Sequence, residues 1–251
     1  MPCGSSPTRK SSSPAGRSRP TAATRGTEPL MPARRHQDPD RPARDWAYLQ
    51  DVHPAISGAQ ARIEREAQRD REPITERESA RLLATLVRAC GARTALEIGT
   101  NLGYSATWIA GALPRDGRLI CLDIDGEILE RAREHLTHER VADKVELRCG
   151  AALDLLADLP GPFDFAYIDA NKDDYPAYLE AVVERLRPGG VVCVDNLLWG
   201  GQAAMETDDP NRPHQWTRII RLFNRSFLDH PQLDSTIVQV GDGVGIGVKR
   251  G

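Results

Sequence analysis

The sequence predicts an α/β fold in which a mostly parallel sheet carries helices on both faces and ends in an antiparallel C-terminal hairpin. Between residues 94 and 195, short runs rich in Val, Ile and Leu alternate with helix-length segments, as parallel strands buried on both faces require. The first run ends in a glycine turn that leads directly into a helix. Near the C-terminus, two β-branched runs flank Gly241-Asp242-Gly243, a hairpin signal because glycine takes positive φ at no steric cost.

The elements follow in order. Residues 1–45 are rich in Ser, Pro, Arg and Gly with few large apolar side chains, too few to offset the entropy of ordering, and read as a disordered basic tail. Met31 offers a second plausible start, and the frequent prolines oppose the amphipathic helix of a transit peptide. From Trp46 a single domain, 46–251, begins with a helical cover: a charged helix over residues 56–71, then a helix announced by the capping-box spacing Thr75–Glu78 and by Leu82, Leu83, Leu86 and Val87 on one face. Strands follow at 94–98, 118–123, 145–149, 163–169 and 191–195, separated by helices at 104–112, 126–139, 153–159 and 175–186. A helix over 214–228 precedes the hairpin strands 236–240 and 244–248.

Charge and cysteine content narrow the function. The tail carries nine Lys or Arg against four Asp or Glu, whereas the remaining 206 residues carry 24 against 32. An acidic body argues against a broad nucleic-acid surface. Cys121, Cys149 and Cys193 sit in or beside apolar runs and read as buried thiols of a reducing, cytoplasmic compartment. No apolar run is long enough for a transmembrane span, and the N-terminus lacks the apolar core of a secretory signal.

The first constellation is Leu96-Glu97-Ile98-Gly99-Thr100-Asn101-Leu102-Gly103-Tyr104-Ser105. Gly99 and Gly103 admit a ligand close to the backbone, and the helix that follows presents unpaired amides, which suits a carboxylate or a nucleotide sugar. The spacing departs from the dinucleotide fingerprint, with Asn101 and Tyr104 where glycines are needed, so a dehydrogenase is disfavoured. Asp123 ends the next strand. It either binds the two hydroxyls of a ribose or, with Asp125, merely favours the start of the following helix. Glu97 interrupts an apolar strand and accepts hydrogen bonds from a cofactor or from loop amides, since a buried unpaired carboxylate is costly. Ala151 lies beside the same rim.

The second constellation lies at two later strand ends, Tyr167-Ile168-Asp169 and Val194-Asp195-Asn196. C-terminal strand ends of a parallel sheet converge on one edge, so Asp169, Asp195 and Asn196 offer two carboxylates and an amide oxygen to one point. This all-oxygen set suits Mg2+, with Mn2+ or Ca2+ also acceptable. Lys172 either reaches an acceptor oxygen on that cation, where it favours the oxyanion, or is a solvated loop lysine paired with Asp173 or Asp174.

Taken together, Leu96 to Thr100 with Gly103-Tyr104-Ser105, Tyr167 to Lys172, Val194 to Gly201, and Gly241-Asp242-Gly243 resemble the motifs of the cation-dependent class I O-methyltransferases, the catechol and caffeoyl-CoA O-methyltransferase family. The resemblance runs from about residue 74 to the C-terminus. It implies a Rossmann-like, seven-stranded methyltransferase fold, S-adenosylmethionine as methyl donor, a small aromatic hydroxyl acceptor and a homodimer. It also implies Asp169, Asp195 and Asn196 as metal ligands, Lys172 and Asp169 as catalytic residues, and a donor site of Glu97, Gly99, Thr100, Asn101, Gly103, Ser105, Asp123, Ala151 and Asp169, with Asp123 on the ribose.

The chain departs from the family where Ile74 to Ala80 replaces a Ser-Pro-Glu-x-Gly-Gln-like stretch, and where Asn171 replaces the second acidic residue of Asp-Ala-Asp-Lys. Trp199 is positioned either to stack on an aromatic acceptor or to pack in the core. Methylation of a modified uridine in transfer RNA is the alternative function, suggested by the basic tail and opposed by the acidic body.

Overall fold

A computed structural model describes residues 41–205 and 214–251; most of the basic tail lies outside them. The described residues fall into two units, residues 41–54 and the described part of Ala55–Gly251. In the first, helix α1 spans Arg41–Val52, so regular structure begins inside the segment read as tail. The second unit carries the sheet. Among the described residues, no helix is long and apolar enough to cross a membrane.

The helical cover of the second unit is α2 (Gly58–Asp70) and α3 (Arg77–Ala89). A capping box starts α2: the Ser57 hydroxyl accepts the Gln60 amide and Gln60 Oε1 accepts the Ser57 amide, each at 3.0 Å. The box expected at Thr75–Glu78 does not form. Glu76, not Thr75, is the N-cap of α3 and makes no side-chain cap bond; the Thr75 hydroxyl is buried instead at 3.0 Å from Tyr167 Oη.

The sheet strands are β1 (Thr94–Ile98), β2 (Arg118–Asp123), β3 (Val145–Cys149), β4 (Phe163–Ile168), β5 (Leu186–Val194), β6 (Leu233–Val238) and β7 (Val244–Lys249). Between them lie α4 (Tyr104–Ala112), α5 (Gly126–His138), α6 (Ala152–Ala157), α7 (Tyr175–Arg185) and α8 (His214–Leu228). The strand order is β3-β2-β1-β4-β5-β7-β6. The first five strands pair in parallel, and β7 inserts antiparallel between β5 and β6. The expected seven-stranded, mostly parallel sheet with an antiparallel C-terminal hairpin is therefore observed, and β6 begins earlier than the sequence pattern indicated.

The alternation of side chains along a strand builds two cores. Leu96, Ile98, Ala166, Ile168, Val192 and Val194 face α6, α7 and α8. Ala95, Leu119, Cys121, Phe165, Tyr167 and Cys193 face α3, α4 and α5. Each fully buried Leu or Ile contributes on the order of 2 kcal/mol. Cys149 corrects the buried-thiol reading: β3 is the sheet edge and Cys149 is exposed, whereas Cys121 and Cys193 are buried.

Parallel pairing also aligns the C-terminal strand ends. The amides of Gly99, Asp169 and Asp195 donate to the carbonyls of Leu122, Ile98 and Ile168 at 2.9, 2.9 and 3.0 Å. These three bonds set the turn after β1 beside Asp123, Asp169 beside that turn, and Asp195 beside Asp169.

Candidate active site

Two adjoining cavities of about 470 and 380 Å3 open along this rim. Gly99, Asn101, Asp169 and Ala170 line both, so they form the wall between them. The larger cavity is also lined by Thr100, Ser105, Lys172, Asn196 and Trp199. The smaller is lined by Asp123, Ala151, Leu153 and Tyr178.

Gly99 has φ +88°, and a Cβ there would lie 2.0 Å from the Asp169 carbonyl oxygen. Only glycine lets the two strand ends approach this closely. Gly103, with φ +79°, is the N-cap of α4 and packs toward Ala132, which makes it a backbone device rather than a wall of either cavity.

The Asp123 carboxylate clips the glycine turn. Its Oδ2 accepts the amides of Thr100 and Asn101 at 2.9 and 2.8 Å, and Oδ1 accepts the Asp125 amide at 3.1 Å. Helix capping falls to Asp125, whose carboxylate accepts the amides of Glu127 and Ile128. The roles left open between these two aspartates are thus separate. Asp123 lines the smaller cavity, and a carboxylate oxygen accepts more than one hydrogen bond, so its amide contacts leave capacity for a ligand hydroxyl. Asn101, at φ +46°, donates to the Pro73 carbonyl at 2.9 Å, while its buried Oδ1 has no partner among the described residues.

Glu97 lines neither cavity. It is fully buried on the face toward α4, where Oε2 accepts the Cys121 thiol at 3.1 Å and Oε1 has no partner among the described residues. Burial raises its carboxyl to about 7 against the opposing pull of Ser105 and Cys121. Its side chain alternates into the core behind the turn.

At the metal constellation, a single hydroxyl, Tyr167 Oη, lies 2.5 Å from Asp195 Oδ2 and 3.5 Å from Asp169 Oδ2. The two carboxylates are therefore neighbours. Asp195 is fully buried behind the cavity wall, and its Oδ1 accepts the Asn196 amide at 2.8 Å. Burial first, and then the negative Asp169, push the Asp195 carboxyl up to about 7. Asn196 has φ +60° and lines the larger cavity. Among the described residues no group of three or more His, Cys, Asp or Glu could hold a metal ion, and the donor set here is two carboxylates and an amide. That set fits a hard cation, because adjacent carboxylates in a buried site carry repulsion that positive charge relieves.

Lys172 Nζ pairs with neither Asp173 nor Asp174. It donates to Asp169 Oδ1 at 3.0 Å and to Tyr175 Oη at 2.7 Å, and it lies 4.8 Å from the centre of the Tyr175 ring. Tyr175 is fully buried and donates to the Asp195 carbonyl at 3.2 Å, so it braces both the lysine and the strand end. Burial and the nearby Asp169 and Asp195 raise the Tyr175 phenol well above its ordinary range and keep it protonated.

The glycine hairpin has a defined task. The amides of Leu197 and Leu198 donate to the carbonyls of Gly243 and Asp242 at 2.9 and 2.8 Å, and Asp242 Oδ1 accepts the Gly200 amide at 2.6 Å. The turn thereby holds the loop that carries Asn196 and Trp199. Trp199 packs edge-on against Trp216 with ring centres 5.7 Å apart, and Trp216 Nε1 donates to Asp173 at 3.2 Å.

Three residues of this site escaped the sequence reading as functional: Thr75, Tyr167 and Tyr175. A signal existed for the tyrosines, since a Tyr in a buried strand or helix requires a partner for its hydroxyl.

Residues 61–250 match the O-methyltransferase family. Caffeoyl-CoA O-methyltransferase 2 of Zea mays is 35% identical over 180 residues, covering 68% of this chain and 67% of that protein. Catechol O-methyltransferase domain-containing protein 1 of Mus musculus is 31% identical over 243 residues, covering 93% and 88%. The crystal structure of the O-methyltransferase TomG from Streptomyces achromogenes, in complex with S-adenosylmethionine, superposes with a TM-score of 0.73 at 31% identity over 82% of this chain and 95% of that one. The chain belongs to the O-methyltransferase family and is an S-adenosylmethionine-dependent O-methyltransferase.

Proposed function

We propose that the acceptor is a small aromatic molecule with a hydroxyl beside a second oxygen, and that methyl transfer depends on a divalent cation, Mg2+ in the first instance, held by Asp169, Asp195 and Asn196. The observation that carries this reading is the wall shared by the two cavities, in which Asp169 faces both and is salt-bridged at 3.0 Å to Lys172.

In this reading the smaller cavity receives the adenosine end of the donor, with Asp123 on the ribose and Ala151 beside the base. Gly99, Thr100, Asn101 and Ser105 border its amino-acid end, and Gly103 fixes the turn. Glu97 supports the site from behind. The larger cavity receives the acceptor, with Trp199 as an aromatic wall. A hard cation supplies charge that stabilises an acceptor oxyanion. Lys172 adds a second positive charge beside that oxygen, and Tyr175 holds the amine at a fixed distance from Asp169. The protein's remaining task is alignment of donor and acceptor, which is worth several kcal/mol when both are held in line.

The test is product analysis by mass after incubation with S-adenosylmethionine and a panel of catechols, hydroxyaromatic acids, aromatic thioesters and transfer RNA, with and without Mg2+. Cation-dependent methylation of a vicinal-oxygen aromatic is the expected result. Methylation confined to transfer RNA, or equal turnover in excess chelator, overturns the reading. The proposed homodimer follows the family resemblance and the proposed cytoplasmic location follows the cysteine content; they are checked by light scattering and by fractionation.

A further inference from the structure

Tyr167 is a fully buried residue of β4 whose ring lies in the core beneath α3 and α4 while its hydroxyl reaches the functional rim. In the parallel register it stands beside Glu97 on one side and Cys193 on the other. Its oxygen meets three groups: Asp195 Oδ2 at 2.5 Å, Thr75 Oγ1 at 3.0 Å and Asp169 Oδ2 at 3.5 Å. A phenol has one proton to give, and the shortest contact is to a carboxylate oxygen, so that proton goes to Asp195. Thr75 is then left to donate to the phenol oxygen, which forms a directed chain from Thr75 through Tyr167 to Asp195.

A phenylalanine would fill the core equally well. The hydroxyl therefore needs an explanation beyond packing, as does the diversion of Thr75 from the cap that its spacing with Glu78 would otherwise form.

We propose that Tyr167, oriented by Thr75, is a positioning residue that fixes the Asp195 carboxylate for cation binding and ties the cover segment before α3 to the cation site. This rests on the cation reading given above. Without the phenol, Asp195 keeps the Asn196 amide on Oδ1 but loses the contact that directs Oδ2. Hydrogen-bond partners of ligating carboxylates typically govern metal affinity by 10- to 100-fold.

The experiment is calorimetric titration of the full chain with Mg2+ and with Mn2+, for the wild type and for Asp169→Ala, Tyr167→Phe, Thr75→Val and Thr75→Ser. S-adenosylmethionine titration without metal and thermal melts run alongside. Tyr167→Phe is expected to raise the metal Kd by about 10- to 100-fold with donor Kd unchanged, and excess metal restores much of the turnover. Thr75→Val raises metal Kd by a smaller factor, and Thr75→Ser, which keeps the hydroxyl, returns it to the wild-type value.

A purely structural hydrogen bond would lower the melting temperature of metal-free Tyr167→Phe while leaving metal Kd unchanged, and that result overturns the proposal. Should Tyr167→Phe fail to fold, unchanged metal Kd in Thr75→Val overturns the coupling to the cover. Absence of metal binding in the wild type overturns the cation reading itself. Binding that is lost in Asp169→Ala but intact in Tyr167→Phe overturns only the role assigned to Tyr167.

Discussion

The Lys172 amine lies 3.0 Å from Asp169 Oδ1, three residues back along the same loop. Its side chain is only 12% exposed, so its charge is directed at the shared cavity wall. Lys172→Ala is expected to reduce turnover by about 10²- to 10⁴-fold, the usual range for a residue that assists proton removal. Donor Kd should remain near the wild-type value. Quenched single-turnover assays with saturating donor check this, and a variant with unchanged transfer rate removes Lys172 from the chemistry.

Gly99 and Gly58 form a matched pair. Gly99→Ala places a methyl group 2.0 Å from the Asp169 carbonyl oxygen at a positive φ and should cost about 3 kcal/mol or more. It should also abolish donor binding, because Asp169 must retreat. Gly58→Ala, in the first turn of α2 with nothing within 4 Å, should be neutral or stabilise by about 0.5–1 kcal/mol. Denaturant melts of both variants measure the contrast, and equal midpoints would refute the close approach at the rim.

Removal of the Asp123 carboxylate acts on the turn and on the ligand together. Asp123→Ala leaves the amides of Thr100 and Asn101 without the acceptor they share. Charge-assisted hydrogen bonds are worth about 1.5–3 kcal/mol, so donor Kd should rise roughly 10- to 100-fold. Equilibrium titration with S-adenosylhomocysteine is the check; a Kd within twofold of wild type would reduce Asp123 to a bystander.

At the opposite rim of the sheet, Asp164 joins the start of β1 to the start of β5. Burial raises its carboxyl, but the amides of Arg93 and Thr94 and the Arg187 guanidinium outweigh that effect and hold it at about 2. Because the folded value lies below the unfolded value of about 3.9, its contribution is full above pH 4 and is lost as pH falls through 2. The size is roughly 2 kcal/mol. Asp164→Ala should therefore be less stable than wild type at pH 7, with the gap closing between about pH 4 and 2. A constant gap across that range in urea melts would exclude the linkage.

Much of the fold was readable because its signals are local. Apolar runs of strand length, the Gly99 turn and the glycine hairpin at 241–243 each depend on a few adjacent residues, and their order dictates a parallel sheet with a reversed end. Edges are different. Cys149 reads like Cys121 along the chain, yet β3 has a neighbour on one side only, so the thiol is exposed. The Thr75–Glu78 spacing likewise satisfies a local rule, but a buried hydroxyl 92 residues away takes Thr75 instead.

The sequence by itself determined which chemical groups stand at the strand ends: carboxylates at 123, 169 and 195, an amide at 196, an amine at 172 and glycines at 99, 103, 241 and 243. Only the tertiary structure decided their partners. Whether a side chain faces a cavity or the core depends on strand pairing and register between distant segments, and this is why Glu97 turned inward, Asp123 clipped the turn, and Tyr167 came to bridge two aspartates. Periodicity is encoded locally, whereas the position of a hydroxyl to within an ångström is set by the packing of the whole sheet and its cover.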